Sequence, residues 1–354
     1  MKKIILFFAG ICLLFGASKD EAELKKMIGQ MVMVGFSHSS ANDSWTDQLV
    51  LDANLGRIGG VMLLSRNIST KNELIKLTKK LSSSKAKHKL LIAIDEEGGK
   101  ISRFINKDGF KHFPSAYEVG SKMNLKEANA IYKDMADQLK SLGINMNFAP
   151  VVDVYNPNSS IIGQKDRAFS KNPDEVIAYS SEFIKAFDKA NVKTVLKHFP
   201  GHGNAIKDTH KEKTVVDNYD FEELKPYFEL IKRDEADFVM VAHVYVPKLD
   251  DKNPAVLSKH IVSDILKDRF KFKGAVISDD LLMKGLGELS IEQKVIKAIN
   301  AGVDIVLVSE YFLNNSNSIK IVNDAILNAL NKGKISKERI KDAYTRILRS
   351  KKGL

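Results

Sequence analysis

The sequence has a single cysteine, Cys12, among its 354 residues. One cysteine forms no internal disulfide and offers no thiolate cluster to a metal ion. Cys12 follows Ile11 rather than a small residue, which speaks against a lipid anchor. Because it lies in a segment that we expect to be removed, the mature chain would also have no cysteine nucleophile.

A run long enough to cross a membrane is also missing. The apolar run over residues 4–15 is too short to span a bilayer as a mature helix. Two lysines precede it and small residues follow at positions 16–18, a pattern typical of secretory signal peptides. We therefore predict a signal peptide over residues 1–18, export to the periplasm or cell envelope, and no stable membrane insertion after cleavage. An uncut anchor is the alternative, since Phe15 is bulky for a cleavage site.

Basic residues interleaved with aromatics are missing as well, although the formal net charge is +11. The lysines and arginines are spread along helical patterns, for example over residues 72–81 and 341–352. Such residues are most simply solvated helix faces, so we predict no nucleic-acid partner. Attraction to acidic polymers, including cell-wall material that carries carboxylates, is compatible with this charge.

No linker, fixed-period repeat or low-complexity segment divides the chain. Apolar, β-rich runs alternate with amphipathic helical patterns, which predicts a parallel sheet covered by helices. Eight such units favour a single α/β domain, a (β/α)8 barrel over residues 19–354, with a last helix over residues 337–350. No clean helix is evident in residues 101–125. The predicted strands cover residues 31–36, 60–65, 90–95, 144–150, 192–198, 238–243, 274–280 and 303–309.

Ionisable residues follow most of the predicted strands. In a (β/α)8 barrel the carboxyl ends of the strands meet at one face, where active sites lie. Six of the eight strands lead into such residues, which is more than solubility requires. The set comprises Asp95, Glu96, Glu97, Asp153, Arg167, Lys197, His198, His243, Asp279, Asp280 and Glu310.

Asp279 and Asp280 directly follow an apolar run, so at least one carboxylate should project into the barrel mouth. A carboxylate there can attack or stabilise an oxocarbenium ion, which makes Asp279 a candidate glycosidase nucleophile. The alternative role is the N-cap of a helix, which aspartate often fills. We assign capping to Asp280 and chemistry to Asp279, because neighbours on a strand face opposite sides.

The segment KHFPGHGNAIKDTH, residues 197–210, is rich in histidine. Lys197 and His198 still belong to a strand, so both can reach a ligand only at its fraying end, unless a bulge intervenes. Gly201 and Gly203 then allow a sharp turn into a loop.

Asp208 and His210 are one residue apart and can share one side of this loop. The carboxylate can then accept from one imidazole nitrogen and leave the other nitrogen free for proton transfer. A polar surface loop is one alternative. Another is a metal site formed by His198, His202, Asp208 and His210.

Two arginines lie in other segments that follow strands. Arg103 comes shortly after the three consecutive acids that begin at Asp95, which could be solvated loop residues or, paired with this arginine, could bind sugar hydroxyls or magnesium. Arg167 lies on the loop after the fourth strand, where a guanidinium can hold a hydroxyl or an acyl carbonyl in a fixed geometry.

At these residues the sequence resembles glycoside hydrolase family 3, and within it the NagZ-type β-N-acetylglucosaminidases. Five motifs appear in family order over nearly the whole mature chain. Lys100 and Thr209 stand where arginine and serine are common in the family. The motifs are IDEEGGKISRF (94–104), NFAPVVDV (147–154), KDRAFSKNP (165–173), KHFPGHGNAIKDTH (197–210) and VISDDLLM (276–283).

The resemblance implies a retaining, exo-acting hydrolase that removes β-linked N-acetylglucosamine, typically from peptidoglycan fragments, without a cofactor or metal. Asp279 matches the nucleophile that forms a covalent glycosyl-enzyme intermediate. His210 matches the unusual general acid/base, and Asp208 matches its partner. The residues that match sugar-binding positions are Asp95, Arg103, Arg167, Lys197, His198 and Met283.

Many single-barrel relatives work in the cytoplasm, whereas predicted export would place the substrate, muropeptides or peptidoglycan glycan ends, outside it. We expect a monomer without the second α/β domain of larger family members. Three alternatives remain. A β-glucosidase or β-xylosidase of the same family would generally take its acid from a carboxylate elsewhere. A zinc hydrolase would use the histidine loop, and a non-catalytic sugar-binding barrel would be expected to lack the nucleophile or the Asp208–His210 pair.

Overall fold

The computed structural model describes residues 20–37, 40–313 and 315–354, so the predicted signal peptide lies outside the described residues. Eight parallel strands close into a barrel in which each strand pairs with its neighbours in sequence and β8 pairs with β1. The strands are β1 (Val32–Gly35), β2 (Gly60–Leu63), β3 (Leu91–Ile94), β4 (Met146–Asn147), β5 (Lys193–Phe199), β6 (Phe238–Val241), β7 (Ala275–Asp280) and β8 (Ile305–Val308).

The predicted (β/α)8 barrel is therefore confirmed, and each strand coincides with a predicted apolar run, with β5 extending one residue further. Residues 20–30 are helical and precede the barrel. The helices that follow are Ser44–Asn54, Lys71–Ser82, Ala116–Lys122, Leu125–Ser141, Pro173–Lys189, Lys225–Lys232, the wider π-helix His260–Arg269, Ile291–Ala301, Ser318–Asn331 and Lys337–Ser350.

The helices begin where the sequence provides caps. Before Leu125–Ser141, the Asn124 side chain accepts from the Glu127 N–H, and the Glu127 carboxylate accepts from the Asn124 N–H. This capping box satisfies N–H groups that a helix start leaves unpaired. Tyr132 and Leu139 belong to the buried face that packs on the barrel. Within the described part of the chain, no helix is long and apolar enough to cross a membrane.

The segment 101–125, where the sequence pattern suggested no clean helix, contains a short one. Ile101–Ser102 pairs with Glu96–Gly98 in a two-stranded hairpin beyond β3. Helix Ala116–Lys122 follows, capped by the Ser115 side chain, which accepts from the Glu118 N–H. Seven residues make only two turns, too few for an apolar period to be recognised.

At the amino ends of the strands, one buried lysine joins three strand starts. The ammonium of Lys351 donates to Gln30 Oε1 at 2.7 Å, to the Gly59 carbonyl at 2.9 Å and to the Lys89 carbonyl at 3.0 Å. These acceptors lie just before β1, β2 and β3. Burial lowers the pKa of Lys351 to about 7. A side chain that follows the last helix therefore ties together the first three strands.

Replacing this lysine with an apolar residue of similar length should destabilise the barrel. In Lys351→Met three acceptors lose their donor, and we expect the free energy of unfolding to fall by about 3 kcal/mol. Urea unfolding followed by circular dichroism measures this change. The exposed neighbour Lys352 provides the control, because Lys352→Met should change stability by less than about 0.5 kcal/mol. Equal stabilities of the two variants would contradict the role given to Lys351.

Candidate active site

A cavity of about 430 Å³ opens at the carboxyl ends of the barrel strands. Its walls come from the ends of strands and from the loops that follow them, as expected for a (β/α)8 barrel. Asp208 does not line the cavity but contacts His210, which does. The other residues that the sequence analysis assigned to the site all line it: Asp95, Arg103, Arg167, Lys197, His198, His210, Asp279 and Met283.

An ionic network of five side chains, Asp95, Glu97, Arg103, Arg167 and Lys197, forms one wall of the cavity. Asp95 accepts from Arg103 Nη2 at 2.5 Å and from Lys197 Nζ at 2.8 Å. Glu97 accepts from Nε and Nη2 of Arg167 at 2.7 and 2.8 Å. Its Oε1 also lies 2.5 Å from Lys197 Nζ. The network joins the segments that follow β3 and β4 to the end of β5.

The cations keep both carboxyl groups of this network ionised. Burial alone would raise the pKa of Asp95, but the charges of Lys197 and Arg103 outweigh it and hold the pKa below the usual range. Burial likewise opposes ionisation of Glu97, and Arg167 and Lys197 lower its pKa to about 2. The wall therefore presents fixed charges and hydrogen-bonding groups that suit a polar, hydroxyl-rich ligand.

His198 connects the network to Asp153. Its Nε2 lies 3.1 Å from Arg167 Nη2, and its Nδ1 lies 2.7 Å from Asp153 Oδ2. A guanidinium can only donate, so Nε2 accepts and Nδ1 carries the proton that is donated to Asp153. Asp153 Oδ1 also accepts from the backbone N–H groups of His198, at 3.1 Å, and His202, at 2.8 Å. The ring orientation and the tautomer of His198 are thus both fixed.

Lys197 and His198 both line the cavity, although neighbours on a regular strand face opposite sides. The register between β5 and β6 shifts between Leu196 and Phe199, so the alternation breaks at this point. The peptide bond between Lys197 and His198 is cis. This irregularity at the strand end is the bulge that the simple alternation left out.

Asp208 and His210 form a hydrogen-bonded pair at the cavity mouth. His210 Nδ1 lies 2.8 Å from Asp208 Oδ1, and the same oxygen accepts from the His210 backbone N–H at 2.9 Å. Burial would raise the pKa of Asp208, but these bonds lower it. The His210 side chain is 61% exposed. An ionised carboxylate thus fixes Nδ1–H and leaves Nε2 free to exchange a proton with a ligand.

Asp279, at the end of β7, faces the cavity with an ionised carboxylate. Its Oδ1 accepts from the Asp280 N–H at 2.8 Å. Burial raises the pKa of Asp279, but His243, His198 and His210 outweigh it and lower the pKa. His210 and Asp279 line the same cavity, so the two groups can address one bound molecule.

Asp280 has a different role from the predicted helix N-cap. Its Oδ1 accepts from the N–H groups of Leu282, at 3.1 Å, and Ser309, at 3.0 Å, and its Oδ2 accepts from Ser309 Oγ at 2.5 Å. The short helix that follows begins later, at Lys284, with Met283 rather than Asp280 at its N-cap position. The capping prediction was therefore wrong: Asp280 stabilises a turn and joins β7 to the residue after β8.

The histidine loop is not arranged as a metal site. Among the described residues, no group of three or more His, Cys, Asp or Glu side chains could hold a metal ion. His198 is held by Asp153 and Arg167, while His202 Nε2 lies 3.4 Å from Thr209 Oγ1. Of the four residues considered as ligands, Asp208 and His210 thus pair with each other, while His198 and His202 have other partners.

Glu223 is a buried carboxyl group that the sequence analysis did not single out. Its Oε2 accepts from the Val154 N–H at 3.2 Å, and its Oε1 accepts from the Asn204 N–H at 3.0 Å. It thereby joins the loop after β4 to the loop that carries Asp208 and His210. Burial, and secondarily the charge of Asp153, raises the pKa of Glu223 to about 8. An acidic residue in a first helical turn is common, so nothing in the local sequence marks it.

The cavity combines an ionised carboxylate, a histidine–aspartate pair and a polar wall at the carboxyl ends of a (β/α)8 barrel. Such a site suits glycoside hydrolysis. Residues 23–350 match the family model described as "Glycosyl hydrolase family 3 N terminal domain". The chain therefore belongs to glycosyl hydrolase family 3.

Named relatives agree with this membership. The chain is 32% identical to Beta-hexosaminidase A of Pseudoalteromonas piscicida over 365 residues, which cover 92% of this chain and 60% of that protein. It is 38% identical to a Beta-hexosaminidase of Hydrogenovibrio crunogenus over 263 residues, 71% of each protein. A solved glycoside hydrolase family 3 beta-N-acetylglucosaminidase from Paenibacillus sp. str. FPU-7 matches with a TM-score of 0.83 and 32% identity, covering 92% of this chain and 62% of that chain. This chain thus spans about three-fifths of the length of the Pseudoalteromonas and Paenibacillus proteins.

The fixed tautomer of His198 gives a test of the site. In Asp153→Asn the amide oxygen can still face the two backbone N–H groups, but Nδ2 then donates to His198 Nδ1. The ring proton must move to Nε2, where it opposes Arg167 Nη2. We expect kcat/KM for an aryl β-N-acetylhexosaminide to fall on the order of 100-fold, the loss for a charge-assisted hydrogen bond turned into a repulsion.

Nitrogen-15 NMR of the His198 ring would report the tautomer directly. Asp217→Asn, at an exposed carboxylate further along the chain, is the control and should keep both the tautomer and kcat/KM. An Nδ1–H tautomer that persists in Asp153→Asn would contradict this account of His198.

Proposed function

We propose that this protein is an exo-acting, retaining β-N-acetylglucosaminidase that removes terminal β-linked N-acetylglucosamine from peptidoglycan fragments. The observation that carries the proposal is the meeting of Asp279 and the Asp208–His210 pair at one cavity of a family 3 barrel. The names of the relatives favour an N-acetylhexosaminide over a glucoside or xyloside.

The reaction would proceed in two steps. Asp279 attacks the anomeric carbon and forms a glycosyl ester, while the bond to the leaving oxygen breaks and His210 donates its Nε2 proton to that oxygen. His210 then takes a proton from water, the water oxygen attacks the anomeric carbon, and the Asp279 carboxylate is released. Asp208 stabilises the imidazolium form of His210 whenever the ring carries both protons. The two inversions give net retention.

The ionic network would hold the sugar during both steps. Asp95, Arg103 and Lys197 offer acceptors and donors for its hydroxyl groups. Arg167 and His198 stand beside them. These steps use the side chains alone and need no cofactor.

The predicted signal peptide leads us to extend the proposal to location. An exported enzyme would meet its substrate in the periplasm or at the cell wall, and the net positive charge that remains after Lys2 and Lys3 leave with the signal peptide would favour contact with acidic wall polymers. Fractionation of cells, with an antibody against the mature chain, tests this part separately.

The first experiment compares an aryl β-N-acetylglucosaminide with the matching aryl β-glucoside, with and without a chelator. We expect turnover of the N-acetyl substrate alone, unaffected by the chelator. Turnover of the glucoside would favour a β-glucosidase, and loss of activity with the chelator would favour a metal-dependent hydrolase. No turnover of either would favour a sugar-binding barrel.

Variants of the two reacting groups should behave differently. Asp279→Asn should lower kcat at least about 1000-fold on every substrate, because no ester can form. His210→Ala should lower kcat/KM, which reports the first step, about 100-fold on a poor leaving group but far less on dinitrophenolate, which needs little protonation. Steady-state rates and NMR of the first-formed anomer measure these effects. His112→Ala, at an exposed histidine, is the control, and an α-anomer as first product would contradict retention.

A further inference from the structure

One ammonium group that lines the cavity has no anionic partner in the protein. The lysine and arginine side chains along its walls are Arg66, Arg103, Lys165, Arg167 and Lys197. Three of them belong to the ionic network, and Arg66 lies 2.9 Å from Glu310. Within the described part of the chain, no carboxylate oxygen lies within 4.0 Å of Lys165 Nζ. Lys165 is thus the cation available to a ligand.

The backbone around Lys165 is held in place on both sides. The Gln164 N–H donates to the Ser159 carbonyl at 2.9 Å, and the Arg167 N–H donates to the Ile162 carbonyl at 3.0 Å. Lys100 Nζ donates to the Gln164 carbonyl at 3.1 Å and to Asp166 Oδ2 at 2.8 Å, and so brackets Lys165. A lysine on a fixed segment presents its charge to one part of the cavity, at low ordering cost.

Lys165 lines the same cavity as His210 of the proton-transfer pair. It is half-buried, whereas the cations of the ionic network that hold Glu97 are buried. Its charge acts on Asp208 and helps to lower the pKa of that carboxyl. In the proposed mechanism His210 protonates the leaving oxygen, so the cavity beside His210 accommodates the part of the substrate that leaves.

Resting on the proposed function, we propose that Lys165 binds a carboxylate on the leaving part of the substrate and thereby selects an acidic aglycone. The N-acetylglucosamine unit carries no charge, so it cannot neutralise this ammonium. A carboxylate on the adjoining sugar, or on a peptide attached to it, supplies the missing partner. A partly exposed ion pair of this kind corresponds to a preference of up to about fivefold.

The test uses the full chain and two substrates that differ in one group. These are the 3-carboxyphenyl and 3-carbamoylphenyl β-N-acetylglucosaminides. The two substrates are of nearly equal size, but only the first carries a negative charge at neutral pH. The measured quantity is the ratio of their kcat/KM values, acid over amide. We expect a ratio clearly above one for the protein, a fall of up to about fivefold in Lys165→Gln, and a further fall in Lys165→Glu. Lys171→Gln, at an exposed lysine just beyond Arg167, is the matched control and should keep the ratio.

Two results would overturn the inference. A ratio near one in the unaltered protein, or an unchanged ratio in Lys165→Gln, would mean that Lys165 does not contact the aglycone. An equal loss on both substrates, with a shift of the pH profile, would instead assign Lys165 to the Asp208–His210 pair. Failure of the proposed function is distinguishable, because the unaltered protein would then release neither phenol, which would overturn both proposals.

Discussion

The pairing of buried charges in the ionic network is the constraint on which the site depends. A buried carboxylate without a partner is costly, so Asp95 and Glu97 require their cations to be in place together. A chain of hydrogen bonds connects this network to the histidine loop. Glu97 orients Arg167, Arg167 fixes the ring of His198, and Asp153 holds both that ring and the backbone of His202. The loop with the proton-transfer pair starts from this held point.

The two parts of the site differ in their exposure to water. The groups that would bind the sugar, apart from the partly exposed Arg103, are buried and hold one another at fixed positions, which favours a preorganised pocket. The Asp208–His210 pair lies at the mouth, where the imidazole is mostly exposed. Glu223 restrains the loop that carries this pair, because its carboxyl group accepts from the Asn204 N–H at the base of the loop. A rigid binding wall and a more accessible proton carrier suit a reaction in which water must enter at the second step.

The sequence was most informative where a feature depends on local periodicity. The strands of a parallel barrel are buried on both faces, so they read as continuous apolar runs, and all eight were recognisable. The contacts of Asp280 and Glu223 could not be predicted, because their partners, Ser309 and Val154, are distant in sequence. The bulge that lets Lys197 and His198 face the same cavity was named only as one option, since it depends on the register with β6.

The buried ammonium of Lys351 also sets an order of events during synthesis. Its acceptors precede the first three strands, which leave the ribosome first, while Lys351 itself is added after the last helix. Strand β1 must likewise wait for β8, its neighbour in the closed barrel. The barrel therefore cannot close before β8 has been synthesised, and the contacts of Lys351 with the first three strand starts can form only after the helix Lys337–Ser350 has been added.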